Sequence, residues 1–415
     1  MTTCWRAESV RVLTFLHSFE PGGVERVALR LVRRWREQGV DAPLFMGRGD
    51  GAMRGELGEG IDAHMPRQPR FSIAWCETLW MIVTLPGVIR RLRPDILFCA
   101  GNSYAVVAVA MKGLLGRRCP PVVAKISNDL ERRDMPWAGR IFYRLWLRVQ
   151  GRFIDHFIAM APGLEAEIVT LIRPRRAMTR YPAISVIPDP ALSLAQIDRL
   201  RAGAMAGPAV EGRRFVAIGR LARQKNFALM LEAFARGAGP QDRLMLYGDG
   251  PDRRGLERLV DRLGLSGRVH FAGHVPDPAS HIGHGDIFLL SSDYEGVPAV
   301  LLEALATGQA IIATECSAAM RALLGDGALG RLVPVGDAAA LADAIAQAGG
   351  IVQDGAASLA QARRFTLEAA APLYLADFAA LARLGGSSEK SQPERLWLPA
   401  GGDVTPSSPS RRAFP

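Results

Sequence analysis

Two acids set eight positions apart are the sharpest chemical signal in the chain. They frame Tyr294-Glu295-Gly296-Val297-Pro298-Ala299-Val300-Leu301-Leu302-Glu303-Ala304-Leu305-Ala306-Thr307-Gly308. The segment follows an apolar run, Ile287 to Leu290, that reads as a strand. A glycine lets a loop bring backbone close to a ligand, and Pro298 suits the first turn of a helix, where its missing N–H costs nothing. The free N–H groups at such a helix start can bind an anion. Glu295 then sits in the loop and Glu303 in the helix body, displaced by about two turns. Acids so placed can touch two parts of one elongated ligand. Read alone, Glu303 could equally pair locally and Glu295 could be an exposed loop acid.

Four further segments carry chemistry. Gly219-Arg220-Leu221-Ala222-Arg223-Gln224-Lys225-Asn226 lies between an apolar run and a helical pattern. Arginine offers a fixed fork of donors and lysine a mobile point charge, a pair able to neutralise a departing diphosphate. In isolation both would read as solvated loop cations. Glu20-Pro21-Gly22-Gly23-Val24-Glu25-Arg26 follows the first apolar run. It lacks the G-x-G-x-x-G pattern, so NAD binding is not supported, yet two glycines opening a helix admit phosphate; a plain turn is the other reading. Tyr247-Gly248-Asp249-Gly250-Pro251 and Arg268-Val269-His270-Phe271-Ala272-Gly273-His274-Val275 follow in turn.

Taken together, these segments resemble retaining glycosyltransferases of family GT4, which have the GT-B fold. Glu295 to Glu303 is similar to the family's E-x7-E signature and Gly219 to Asn226 to its G-R-L-x-x-x-K-N run, within a resemblance covering roughly residues 10 to 385. The resemblance implies that Glu295 contacts the donor sugar's hydroxyls and Glu303 the ribose hydroxyls of a UDP- or GDP-sugar. The backbone of Gly296, Val297 and Pro298 would line the sugar-diphosphate pocket. Arg220 and Lys225 would take the diphosphate charge, and with Glu295 they are the catalytic candidates. Gly22 and Gly23 would border the donor phosphates, Gly250 the nucleotide, and His274 and Val275 the base; His274 could equally be a surface histidine. Many members carry a histidine after a strand of the N-terminal domain. The matching stretch here is Lys125-Ile126-Ser127-Asn128-Asp129, without one. Ser127 or Asn128 is the candidate for its hydrogen bond, and Lys125 or Asp129 for an acceptor contact. The implied reaction is front-face attack by the acceptor, with the leaving phosphate accepting the proton. Neither metal nor cofactor is expected: there is no D-x-D motif and no His/Cys cluster at ligand spacing.

Such residues need a scaffold, and the sequence alternates short apolar runs with helical patterns. Val10 to Leu16, Asp95 to Cys99, Val122 to Ile126, Phe157 to Met160 and Ser185 to Ile187 read as strands. A Gly/Ala/Pro-rich stretch, Ala202 to Gly212, precedes a second cycle. Its strands are Arg214 to Gly219, Arg243 to Tyr247, Val269 to Phe271, Ile287 to Leu290 and Ala310 to Ala313. Val24 to Gln38, Phe227 to Arg236 and Arg253 to Leu263 read as helices. The fold class is therefore α/β. With the resemblance it becomes two facing Rossmann-like doubly wound domains with a cleft between them. Residues 1–190 form the acceptor domain and 191–356 the donor domain. A helix over about 357–385 packs back on the first domain, and 386–415, rich in Ser, Pro and Gly, reads as a disordered tail.

Bulk properties narrow the setting. The net charge is +10. Residues 1–190 hold 28 Lys+Arg against 18 Asp+Glu, so the whole excess lies there. Five cysteines, an odd number without CxxC spacing, argue against a disulfide framework or structural zinc and fit a reducing compartment. Arg6, Glu8 and Arg11 interrupt any signal-peptide core, and no run is apolar enough to span a bilayer. A cytoplasmic location follows. Arginines and aromatics interleave in Phe71 to Arg93 and in Arg132 to Arg152, which suits the inner face of the membrane and a lipid-linked acceptor; a core helix with a charged outer face is the alternative. No nucleic-acid module is evident. A nucleotide-sugar 2-epimerase, a phosphorylase and a non-catalytic scaffold of a polysaccharide assembly complex are the other readings. Only four lysines are present, and none is a clear pyridoxal-phosphate candidate.

Overall fold

The structure is a computed structural model. It describes residues 10–20, 22–57, 61–68, 76–127, 130–132, 135–174, 183–204, 212–283, 285–351 and 353–386. The proposed tail from 387 onward, and Asn128 and Asp129, lie outside the described residues.

Two parallel sheets organise the chain. The first contains β1 (Val12–Leu16), β2 (Leu44–Met46), β3 (Ala63–His64), β4 (Ile96–Cys99), β5 (Val122–Ile126), β6 (His156–Ala159) and β7 (Ile184–Val186). The second contains β8 (Arg214–Ile218), β9 (Arg243–Tyr247), β10 (Val269–Gly273), β11 (Ile287–Leu290), β12 (Ala310–Thr314) and β13 (Arg331–Val333). The orders are β3-β2-β1-β4-β5-β6-β7 and β10-β9-β8-β11-β12-β13, with every neighbouring pair parallel. β1, β4 and β5 are buried along their whole length, because strands without a polar face must be covered on both sides by helices.

Each sheet reverses its winding once, between β1 and β4 in the first and between β8 and β11 in the second. This is the doubly wound order, and the reversal opens a crevice at the strand C-termini. The two C-terminal edges face one another. A Cβ built on Gly296, beyond β11, would lie 2.8 Å from Ser127 O, beyond β5. One on Gly163, beyond β6, would lie 2.5 Å from Ala318 O, beyond β12. The architecture is thus two Rossmann-like domains with their functional edges opposed, the GT-B fold.

The segment read as one helix over 357–385 is two. Gly355–Arg364 packs on the helix Ala299–Thr307 of the second domain, and Leu367–Gly386 lies against the helix Gly23–Glu37 of the first. The break falls at Phe365 and Thr366, both buried, where Thr366 bridges to Leu192. Trp35 Nε1 donates to Ala371 O at 3.3 Å, and the rings of Trp35, Phe98, Tyr374 and Phe378 meet with centroids 5.4–6.0 Å apart. Such a cluster gains from edge contacts beyond its buried area. Asp377 completes the junction, accepting from Ser185 Oγ at 2.8 Å and facing His156 Nε2 at 2.9 Å.

Candidate active site

The loops that leave β8 and β11 run side by side. Asp293 N donates to Gln224 O (2.9 Å), Gln224 Nε2 to Tyr294 O (2.9 Å), Asn226 Nδ2 to Asp293 Oδ1 (2.7 Å) and Ser291 Oγ to Lys225 O (2.8 Å). Asn226 itself is left-handed at φ 45°, and its side-chain oxygen accepts from Leu229 N, capping the helix Phe227–Gly237. These bonds determine where the Lys225 and Glu295 side chains emerge. Lys225 Nζ donates to Glu295 Oε1 at 2.5 Å, and Ser292 Oγ donates to the same oxygen at 2.8 Å. The Lys225 and Glu295 side chains are only 19% and 12% exposed, so their charges act with little screening. Arg220, on the same loop, is exposed, and no group among the described residues takes its guanidinium.

The backbone around this pair is held from behind. Glu295 N donates to Cys316 O at 3.2 Å, and Ser317 Oγ to Gly296 O at 3.0 Å. Val297 is half-buried and Pro298 buried. Pro298 is the N-cap, with φ −72° and ψ 110°, one residue ahead of the first turn in which it was expected. The loop after β9 stacks on the loop after β8: Gly219 N donates to Tyr247 O at 2.9 Å and Leu221 N to Asp249 O at 3.0 Å. Gly248 has φ 134°, and a Cβ there would lie 2.0 Å from Gly219 O; one on Gly250 would lie 2.3 Å from Leu221 O. Only glycine permits that backbone approach. His274 is exposed and Val275 half-buried just beyond β10.

Glu303 stands apart from the Lys225 pair. It accepts from Gln196 Nε2 at 3.1 Å. Burial pushes its carboxyl up to about 7, helped by the negative charge of Asp277 and opposed by Arg30 and the Gln196 bond. Unfolded, the group titrates near 4.5. Between those two values the folded chain binds more protons than the unfolded one. Stability is therefore greatest below the lower value and falls as pH rises through the upper. Glu303→Gln should remove that decline, about 3 kcal/mol at most, flattening the urea midpoint between pH 4.5 and about 7. A midpoint profile unchanged by the substitution would show that Glu303 is not desolvated.

The first domain brings groups that the motifs did not reveal. Gly22 is extended (φ −149°, ψ 152°) and caps the helix Gly23–Glu37. A Cβ on Gly22 would fall 2.0 Å from Glu25 Oε2, so the Glu25 carboxylate folds back over the helix start, where Tyr104 Oη donates to it; Gly23 faces open space. The expected phosphate cradle thus carries a carboxylate. His17, just past β1, lies tilted against the Tyr104 ring (centroids 4.6 Å apart, planes at 31°) with Nε2 3.3 Å from Thr78 Oγ1. Burial holds its imidazole below the ordinary value, against the pull of Glu77 and Glu25 and with help from Arg48. Arg48 in turn sits among Glu20, Asp50 and Glu77 at 3.1–3.4 Å. A histidine at the winding reversal of the first sheet was the signal that could have found this cluster.

Ser127 lies where the two strand edges meet, its carbonyl oxygen close to Gly296. Its N–H donates to Asn102 Oδ1 at 2.9 Å. Lys125 is not an acceptor contact. Its side chain is 2% exposed and paired with Asp189 Oδ1 at 2.6 Å, because it lies within β5, whose residues are all buried, rather than in the loop beyond the strand. Among the described residues no group of His, Cys, Asp or Glu is placed to hold a metal, and no helix is long and apolar enough to cross a membrane.

Known proteins match both domains. The family model described as Glycosyltransferase Family 4 matches residues 21–186, and that described as Glycosyl transferases group 1 matches residues 212–349. The lipopolysaccharide core biosynthesis glycosyltransferase LpsE of Rhizobium meliloti is 27% identical over 337 residues, 81% of this chain and 88% of its own. LpsD of the same organism, named likewise, is 32% identical over 299 residues, 72% of this chain and 77% of its own. Among solved structures, Anabaena HepE in complex with UDP superposes with a TM-score of 0.67 at 20% identity, covering 89% of this chain and all of that one. The lipopolysaccharide outer core galactosyltransferase WaaB in its apo form gives 0.69 at 19%, covering 90% and 99%. The two structures share the fold, and the two family models with LpsD go further: this chain belongs to glycosyltransferase family 4, the glycosyl transferases group 1, and is a glycosyltransferase.

Proposed function

We propose that this enzyme moves a sugar, with retention of configuration, from a nucleotide-diphosphate sugar to a hydroxyl of a lipid-linked saccharide in cell-envelope polysaccharide synthesis. The observation that carries the reading is the Lys225–Glu295 pair, set beside Arg220 and the N-terminus of the helix Ala299–Thr307. Lys225, Arg220 and the free amides at that helix start take the growing charge of the leaving diphosphate, without a metal. Glu295, held by Ser292 and Lys225, fixes the donor sugar through its hydroxyls, and Glu303 accepts from the ribose. Ser127, across the cleft, is the acceptor-side contact. The leaving phosphate receives the proton of the attacking hydroxyl, so no protein base is required.

HepE has been solved with UDP and with UDP-glucose, which favours a uridine donor here. LpsE and LpsD are named for lipopolysaccharide core synthesis, which favours that acceptor class and the cytoplasmic side of the membrane. A thermal-shift screen of UDP-, GDP- and ADP-sugars tests the donor assignment. A UDP-sugar should raise Tm whether or not EDTA is present. Failure of all three classes would sink the reading, and sugar consumption without any acceptor would point to an epimerase-like isomerase instead.

A further inference from the structure

The helix Trp137–Phe153 contains four arginines and neither Asp nor Glu. It buries only Leu147, Gln150 and Gly151. Trp137, Ile141, Leu145, Val149 and Phe153 recur every fourth residue, and all five are exposed. Residues four apart lie above one another on a helix, so these side chains form one apolar row along its outer face. Phe142 widens it. Trp137 and Phe142 are 71% and 72% exposed, an unusual state for large aromatic side chains. Arg140, Arg144, Arg148 and Arg152 make a second row with the same period, one position behind the first. The helix Ala105–Leu115 packs beside it and Glu77–Leu92 beside that one, and these helices also expose apolar residues, Leu79, Val83 and Leu114.

We infer that this face docks on an anionic phospholipid bilayer. An apolar row flanked by cations of a single sign matches the lipid boundary, where aromatic rings enter the acyl region and guanidinium groups meet lipid phosphates. A second copy of the chain is the wrong occupant, because face-to-face pairing would set one arginine row against another. The position also suits the chemistry. The helix returns from the C-terminal edge of β5, the edge whose Ser127 faces the donor loop at Gly296, so its Trp137 end lies on the cleft side. A lipid-borne acceptor would be presented toward the cleft. Docking is a property of the surface and does not depend on which sugar is moved.

Co-sedimentation of the full chain with vesicles, in low salt and without donor, tests the inference. Vesicles of phosphatidylcholine with phosphatidylglycerol should bind the protein at least about tenfold better than phosphatidylcholine alone, and added salt should weaken the binding. The double variants Trp137→Ser/Phe142→Ser and Arg140→Glu/Arg144→Glu should each lose about tenfold or more in vesicle affinity while keeping the wild-type Tm. Equal binding to both vesicle types, or variants that bind like the wild type, would overturn it. So would a dimer in sedimentation velocity that the Trp137→Ser/Phe142→Ser change dissolves, since the face would then belong to a second copy.

Discussion

Lys225→Met should lower kcat by about a hundredfold to a thousandfold, the usual loss when one charge-stabilising donor is removed from a preorganised site. The substitution also strands the Glu295 carboxylate, which is 12% exposed and, once the Lys225 ammonium is gone, keeps the Ser292 hydroxyl as its side-chain hydrogen-bond donor among the described residues. Part of the loss will therefore appear as a lower Tm. Glu295→Gln separates the two effects, because it keeps the shape and removes the charge. It should cost turnover comparably with a smaller change in stability. The double variant should be little worse than either single one, since the two side chains act as a unit. Steady-state kinetics on the three variants decides the matter. Near-normal kcat in both single variants would remove the pair from the chemistry.

Gly296→Val should be the other severe change, acting by geometry rather than charge. Gly296 is where the loop after β11 meets the first domain. A Cβ there would lie 2.8 Å from Ser127 O and 2.9 Å from Met160 Cε, and the first of these is backbone that cannot turn aside. The branched side chain would hold the two edges apart. A displacement near an ångström in the reacting geometry costs about a hundredfold in rate. The predicted signature is kcat down by about that factor with Tm nearly unchanged, because the contact lies between domains rather than within either core. A variant that turned over normally would show that this close approach is not needed for transfer.

How far the sequence revealed these features depends on how local their causes are. β1, β4, β5, β8 and β11 were legible because each is a mainly apolar run with at most one polar or charged residue, the mark of a strand covered on both faces. β2, β3 and β13 were missed; they have three, two and three residues, too few for any periodicity to register. The break at Phe365 and Thr366 was invisible because neither residue is a helix breaker. What divides the helices is the demand that one pack on each domain, a tertiary cause.

The site divides in the same way. Lys225 and Glu295 stand seventy residues apart, and their motifs announced them separately; the structure supplies their ion pair. The partnership of Lys125 with Asp189, sixty-four residues on, has no local sign, so an inward lysine passed for a cleft residue. His17 carried a readable clue in its position after the first strand, but nothing local pointed to Tyr104, Thr78 and Glu77 around it.

The central claim is that the crevice between β8 and β11 binds the diphosphate of a nucleotide-sugar donor. A crystal structure of the protein with UDP tests it most directly. The account predicts diphosphate oxygens within about 3.2 Å of Arg220 and Lys225, at the start of the helix Ala299–Thr307, with the ribose hydroxyls on Glu303. UDP bound elsewhere on the molecule, or bound in the crevice with Lys225 still closed on Glu295 and no contact to the phosphates, would contradict it.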